Sequence, residues 1–140
     1  MKKILVIGAG GQIGSELVLE LGRRFGNDAV IASDIKDERP KLLSEFQYEK
    51  LNVLDNESLS GLVKEESITE IYLLAALLSA TAESNPKFAW ELNMDGLFNV
   101  LDLAKEGIIN KVFWPSSIAV FGPTTPKVET PQRTVMEPST

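Results

Sequence analysis

The chain has 140 residues, 44% hydrophobic and 24% charged, which is the composition of one ordinary globular domain. It contains no cysteine and no histidine, which excludes disulfide scaffolds, Cys-based zinc and iron–sulfur centres, HExxH sites and Ser-His-Asp triads, so no metal site is expected. The net charge of −6 argues against a nucleic acid partner, and the longest apolar run, 71–80, is far shorter than the ~20 residues of a membrane span. We expect a cytoplasmic protein that binds neither nucleic acid nor a membrane.

Strand and helix signals alternate along the first half of the chain. The β-branched run Ile4–Ile7 predicts a parallel strand that is buried on both faces. A helix is predicted over Gln12–Phe25, with a buried side formed by Ile13, Leu17, Val18 and Leu21. We further predict a strand at 29–33, a charged connector at 36–41, a third strand within 46–53, and a helix capped at 55–56 that ends near 65.

The second half repeats this alternation before the composition changes. A strand is predicted at 70–74, and Asn85 and Pro86 suit the start of a helix that ends at Gly107. The apolar stripe of this helix consists of Trp90, Met94, Leu97, Leu101 and Ala104. We interpret most of these residues as core and a few of them as contacts of a dimer that pairs through this helix. A fifth strand at 111–114 precedes a proline-rich loop segment, 115–138. The pattern predicts an α/β fold: a doubly wound parallel sheet of order 3-2-1-4-5 with helices on both faces.

A glycine-rich loop joins the first predicted strand to the first predicted helix. Gly8 allows a sharp turn, and Gly10 or Gly11 lets backbone N–H groups approach a pyrophosphate. Gly14 lets the helix pack closely on the strand, and the helix N-terminus supplies free N–H groups. This context predicts a Rossmann-like dinucleotide site. Its predicted cofactor-binding residues in the loop are Gly8, Gly11, Gln12, Ile13 and Gly14.

Asp34 lies 20 residues after Gly14, at the end of the second predicted strand. A carboxylate at this place accepts hydrogen bonds from the adenosine ribose hydroxyls and repels a 2′-phosphate, which favours NAD over NADP. Flavin or a sugar nucleotide alone remains open as a minor alternative. A P-loop is not supported, because no Gly-Lys-Ser/Thr follows the glycines.

Three later motifs add a family resemblance: LAA at 74–76, NMDGLFNVL at 93–101 and PSSIAVFG at 115–122. Together with GxxGxxG at 8–14, they resemble the extended short-chain dehydrogenase/reductase family of NAD-dependent epimerase- and dehydratase-like proteins. Phe121 replaces the tyrosine of the family's SSxxVYG motif. The resemblance runs across essentially the whole chain and implies NAD as the cofactor.

The resemblance also implies roles for individual residues. Leu74, Ala75 and Ala76 would lie against the adenosine and nicotinamide riboses, and Asp55 would contact the adenine amino group. Ser117 matches the catalytic hydroxyl that polarises the reacting oxygen.

Other assignments stay open at this point. Asn93 either supports a proton-relay water or is an exposed helix residue. Ser79 and, more weakly, Thr81 either contact a small-molecule substrate or are simple loop hydroxyls. Many family members pair through the helix that carries Asn93, which implies a homodimer.

Within the family, segments 75–86, 114–117 and 130–140 are similar to the branch formed by the short-chain-type L-threonine 3-dehydrogenases. This similarity implies NAD-dependent oxidation of L-threonine to 2-amino-3-ketobutyrate. Two alternatives remain: an NAD-dependent nucleotide-sugar epimerase or dehydratase acting on a UDP-sugar, and a dinucleotide-binding module without catalysis.

The chain departs from the family at the catalytic base, which is a tyrosine with a lysine four residues later. Tyr48 and Tyr72 are the only tyrosines, and Asn52 and Ala76 stand four residues after them. We therefore expect residues 1–140 to form an NAD-binding domain that is truncated before the Tyr-x-x-x-Lys and the substrate-binding C-terminal part. Such a chain would be nearly inactive by itself.

Overall fold

Five parallel strands form one sheet at the centre of the computed structural model, which describes residues 2–77 and 79–138 apart from the side chains of residues 79 and 80. The strands are β1 (Ile4–Ile7), β2 (Val30–Asp34), β3 (Gln47–Lys50), β4 (Glu70–Leu73) and β5 (Lys111–Phe113). The helices are α1 (Gln12–Phe25), α2 (Asn56–Glu65), α3 (Ser79–Ser84), α4 (Pro86–Trp90) and α5 (Gly96–Lys105). A π-helical turn, Glu91–Asp95, joins α4 to α5, and short 3-10 turns cover Asn27–Ala29, Lys41–Leu43 and Ile118–Val120.

The strand order is β3-β2-β1-β4-β5, which confirms the predicted 3-2-1-4-5 sheet. Central β1 pairs with β2 on one side and with β4 on the other, so that Val6 lies between Ala32 and Tyr72. Because all five strands run parallel, their carboxyl ends lie at one edge of the sheet. The connections leave in opposite directions from β1 and β4, and a crevice opens between them at this edge.

The core consists of two apolar layers, one on each face of the sheet. Because side chains alternate along a strand, β1 supplies Leu5 and Ile7 to one layer and Ile4 and Val6 to the other. The first layer contains residues of α2 and α5, and the second contains residues of α1. Helices therefore cover both faces, as predicted.

The bounds of α1 are confirmed, and its predicted buried side is confirmed in part. Val18 and Leu21 are buried and Leu17 is partly buried against the same core layer, whereas Ile13 is 73% exposed. The buried positions Gly14, Val18, Leu21 and Gly22 have the i, i+4, i+7, i+8 spacing of one helix face. Two of these four are glycines, which carry no hydrophobic signal, so the apolar pattern did not reveal them.

The predicted apolar stripe of the helix after β4 is confirmed in part. Asn85 caps α4 and Gly107, at φ +73°, follows the end of α5, as predicted. Leu97 is buried and Ala104 is partly buried against the core. Trp90 and Leu101 are 66% and 40% exposed, so they are not core residues, and the dimer contact expected of a few members of the stripe stays a prediction. The buried face instead contains Ala89, Gly96, Leu97, Val100 and Leu103.

Candidate cofactor cleft

A cleft of about 410 Å³ lies at the carboxyl edge of the sheet, in the crevice between the connections that follow β1 and β4. Open α/β sheets bind ligands at this place, where the strand order reverses. The cleft is lined by the glycine loop, by the ends of β2, β3 and β4, and by α4 and the turn after it. Its lining residues include Gly8, Gly10, Gly11, Asp34, Ile35, Lys36, Asn52, Val53, Leu74, Ala75, Ala76, Leu77, Phe88 and Leu92.

Two glycines of the loop are required by close backbone approach. Gly8 has φ +91°, and a Cβ there would lie 2.7 Å from the backbone nitrogen of Ala75. A Cβ on Gly14 would lie 2.8 Å from Cα of Ala9, so that α1 packs directly on the loop. The sharp turn and the close helix packing predicted for these residues are both present in the structure.

Gly10 and Gly11, which the sequence left as alternatives, differ in the structure. A Cβ on Gly10 would lie 2.8 Å from Oδ2 of Asp34, whereas the nearest atom to a Cβ on Gly11 is 3.4 Å away. Gly11 is the N-cap of α1, with φ −80°. Gly10 therefore lets the Asp34 carboxylate reach the loop.

The backbone amides of the loop divide into two groups. Those of Gly8 and Ala9 donate to the Ser33 carbonyl, that of Gly10 to Asp34, and that of Gly11 to the Gly8 carbonyl. Among the described residues, none accepts from the amides of the first turn of α1, at positions 12–14, and no side chain caps this helix. Three N–H groups at the positive end of the helix dipole thus lack an acceptor among the described residues, and they directly follow Gly11 of the cleft lining. Free amides at a helix N-terminus are the arrangement that binds a phosphate group.

Asp34 stands at the end of β2 with its carboxylate turned towards the loop. Oδ2 accepts from the Gly10 amide at 2.9 Å, and Oδ1 accepts from the Lys36 amide at 3.3 Å. Tyr48 supports the same turn, because its hydroxyl donates to the Lys36 carbonyl at 2.9 Å. Burial and the charges of Asp34 and Asp37 raise the pKa of Tyr48, which keeps this hydroxyl protonated as a donor. The Asp34 carboxylate has further lone pairs with which to accept from ribose hydroxyls.

The segment after β4 forms the opposite wall. Leu74, Ala75 and Ala76 line the cleft, and the Leu74 amide donates to the Ile7 carbonyl at 2.8 Å. Asn93 holds the next residue: its Oδ1 accepts from the Leu77 amide at 2.9 Å, and its Nδ2 donates to the Leu77 carbonyl at 3.0 Å. Asn93 is half-buried, so it is not the exposed helix residue that was the alternative. Its role in a proton relay stays a prediction.

Asp55 lies at the start of α2 and is engaged there. Its Oδ1 accepts from the Ser58 amide at 3.0 Å and its Oδ2 from the Ser58 hydroxyl at 2.7 Å, and these bonds lower the pKa of Asp55. The residues that line the cleft after β3 are Leu51, Asn52 and Val53, which all precede Asp55 in the chain. The adenine contact of Asp55 stays a prediction without a supporting contact, whereas Asn52 is a cleft residue that the sequence analysis missed.

Neither Ser117, the predicted catalytic residue, nor Thr81, a predicted substrate residue, is among the described residues that line the cleft. Ser117 is exposed, and its Oγ accepts from the Ala119 amide at 3.1 Å at the start of a 3-10 turn. Thr81 is exposed on α3, and the side chain of Ser79 lies outside the described part of the structure. The roles of all three stay predictions.

The sequence analysis missed eight further lining residues: Ile7, Ile35, Lys36, Leu51, Val53, Leu77, Phe88 and Leu92. Ile35 and Lys36 directly follow Asp34, so the end of a strand was a usable signal for both. Leu77, Phe88 and Leu92 reach the cleft only through the way α4 and the π-helical turn pack.

In the described residues, no helix has the length and apolar character needed to cross a membrane.

The free amides at the start of α1, the close approach of Gly10 to Asp34 and the uncommitted lone pairs of that carboxylate all fit a dinucleotide. Fold and cleft together define a Rossmann-type dinucleotide-binding protein. The model of the NAD dependent epimerase/dehydratase family matches residues 4–140. The chain belongs to this NAD-dependent family, whose cofactor is of the type that the cleft fits.

Several relatives resemble the chain over nearly its full length. An L-threonine dehydrogenase from Cupriavidus necator, solved in its holo form, is 52% identical with a TM-score of 0.92, covering 98% of this chain and 44% of that one. An uncharacterized epimerase/dehydratase from Staphylococcus saprophyticus is 49% identical, covering 99% of this chain and 43% of the relative. A UDP-glucose-4-epimerase from Stenotrophomonas maltophila has a TM-score of 0.82 at 19% identity, which shows the fold alone. The chain spans less than half the length of these relatives.

Proposed function

We propose that the chain supplies the NAD site and part of the active site of a dehydrogenase that oxidises L-threonine to 2-amino-3-ketobutyrate. The observation that carries this proposal is the 52% identity to an L-threonine dehydrogenase over 98% of the chain. A second such enzyme, from Clostridium difficile, is 46% identical with a TM-score of 0.91. The nucleotide-sugar alternative has support from the family itself and from relatives named only as epimerase/dehydratase, but the UDP-glucose-4-epimerase is only 19% identical.

The cofactor would be held from both ends of the cleft. The amides of Gln12, Ile13 and Gly14 would bind the pyrophosphate, because they lack other acceptors among the described residues. Asp34 would accept from the adenosine ribose hydroxyls, and its negative charge would repel the extra phosphate of NADP. NAD is therefore the preferred cofactor.

The chemistry divides between the cofactor and the protein. When bound, the nicotinamide ring supplies the acceptor for a hydride from the carbon that carries the threonine hydroxyl. Ser117 would polarise that hydroxyl, and Ser79 and Thr81 would contact the amino acid. Tyr48 donates to Lys36, and the ring of Tyr72 packs against that of Phe113 at 5.4 Å, so neither tyrosine is proposed as the base.

Exposed apolar residues on the helical segment that runs from α4 through the π-helical turn to α5 support a homodimer. Trp90, Phe98 and Leu101 are 66%, 52% and 40% exposed, which is unusual for large apolar side chains on one helical segment. We propose that this face pairs with a second copy, and that the dimer is cytoplasmic.

The test uses the protein in full, as its gene encodes it. We expect NADH to accumulate with L-threonine and NAD, and much less turnover with NADP. Ser117→Ala should reduce kcat by about 10²-fold or more, the size typical of a lost acid–base or polarising group, whereas Ser116→Ala serves as the matched control. Conversion of a UDP-sugar without net NADH would instead establish the epimerase reaction. NAD binding with neither activity would favour a module without catalysis.

A further inference from the structure

Asn99 connects α5 to the wall of the cleft beside Asp34. It is half-buried on α5, and its Nδ2 donates to the Val53 carbonyl at 2.9 Å, across 46 positions of sequence. Val53 is 2% exposed, so its carbonyl has little access to water. Loss of this donor would leave a buried acceptor without a partner, which costs more than the loss of an exposed hydrogen bond.

The bond holds a turn whose residues line the cleft. The Asp55 amide donates to the Asn52 carbonyl at 2.9 Å, and Oδ1 of Asn52 accepts from the Leu54 amide at 3.1 Å. Those two bonds fix the shape of the turn, and the bond from Asn99 fixes its position relative to α5. Asn52 and Val53 are the turn's contributions to the cleft lining.

Gly96 places a second contact on the same turn. It lies three residues before Asn99, so the two share one face of α5. A Cβ on Gly96 would lie 2.9 Å from Cγ1 of Val53, so the helix backbone and the valine are in direct contact. Val53 is thus held by a hydrogen bond at its carbonyl and by packing at its side chain.

We propose that Asn99 is a positioning residue of the cofactor cleft, which acts through Val53 to hold the turn at Asn52–Asp55 against the dinucleotide. This inference rests on the proposed NAD site. It assigns Asn99 no contact with the cofactor. Its effect is on where Asn52 and Val53 stand, and therefore on the affinity of the cleft for NAD.

The decisive experiment compares NAD affinity and stability in three variants of the protein in full, by calorimetric titration and thermal unfolding. Asn99→Asp keeps the shape but removes the donor at neutral pH, and we expect its Kd for NAD to rise about tenfold, the effect of losing one hydrogen bond to a buried acceptor. Asn99→Gln keeps an amide donor and should recover part of this loss. Asn110→Ala, an exposed asparagine outside the cleft lining, is the matched control and should bind like the wild type.

Gly96→Ala tests the same turn from the side of α5. The backbone of Gly96 is helical, so alanine favours the helix, but its Cβ would lie 2.9 Å from Cγ1 of the buried Val53 and would displace that side chain. We expect weaker NAD binding, and the overpacking should also lower the melting temperature. The comparison of Asn99→Asp with Asn99→Gln therefore remains the one that separates positioning from folding. If the wild type binds NAD and the variants at Asn99 and Gly96 match its Kd, the inference is wrong while the proposed site stands. If the wild type does not bind NAD, both are wrong.

Discussion

Replacing Asp34 by alanine tests the cofactor site most directly. In the structure the carboxylate accepts hydrogen bonds from the Gly10 amide at 2.9 Å and from the Lys36 amide at 3.3 Å. In the proposed complex it also accepts from two ribose hydroxyls. A hydrogen bond to a charged group contributes about 1.5–3 kcal/mol. Because Asp34 is only half-buried, we take the lower end for each of the two ribose bonds, which gives about 3 kcal/mol.

This free energy corresponds to a Kd for NAD about 150-fold higher in Asp34→Ala than in the wild type. The ratio of the Kd values for NADP and NAD should fall at the same time, because the charge that repels a 2′-phosphate is removed. Both are measured by fluorescence or calorimetric titration. Asp37→Ala is the matched control, since Asp37 has a side chain 80% exposed and pairs with Lys50 outside the cleft lining. A Kd for NAD within twofold of the wild type in Asp34→Ala would refute the ribose role.

Two further substitutions test the loop and the helix cap. Gly14→Ala places a Cβ against the backbone of Gly8 and Ala9, which should lower the free energy of unfolding by about 1–3 kcal/mol and weaken NAD binding. Gly61→Ala in α2, where a Cβ would meet no atom within 4 Å, should be neutral or stabilising, and equal stability of the two variants would contradict the packing argument. Asp55→Ala should lower the melting temperature at neutral pH, because α2 loses its N-cap. The pKa of Asp55 is lowered in the folded state, so the cap stabilises above the ordinary pKa of 3.8 and is lost as pH falls through the lower folded value. The melting temperatures of the variant and the wild type should therefore converge in acid, and a constant difference would exclude this role.

The elements with strong local signals were predictable almost to the residue. β1 and α1 begin and end where the β-branched run, the glycines and the apolar spacing place them. The strand order followed from alternation and crossover handedness alone. The glycine loop and Asp34 were also predictable, because each stands directly at the end of a strand and all strands end at one edge.

The buried faces of the helices were harder to predict, for one physical reason. Gly14 and Gly96 lie near the starts of α1 and α5, on the faces that pack on the protein, yet a glycine adds nothing to a hydrophobic pattern. The pattern found Val18, Leu21 and Leu97 but missed these glycines, and it added Ile13 and Leu101, which are exposed. Only the contact distances show that close approach of the backbone, rather than a large apolar side chain, defines these faces.

The wall of the cleft after β3 was only partly predictable, because side-chain type alone does not say where a turn points. Asp55 has the carboxylate, but it caps α2, while Asn52 and Val53 line the cleft. The bond from Asn99 that fixes this turn spans 46 positions, and no local pattern indicates it.

The glycine loop has a thermodynamic consequence for binding. All four amides from Gly8 to Gly11 already donate to Ser33, to Asp34 or to the loop itself. The backbone of the loop is therefore ordered before a ligand binds. Fixing one backbone residue costs about 1–2 kcal/mol of conformational entropy. For this loop that cost falls on folding and not on binding. Association with a dinucleotide should consequently carry a small entropic penalty from the loop, and the affinity should depend chiefly on the contacts formed.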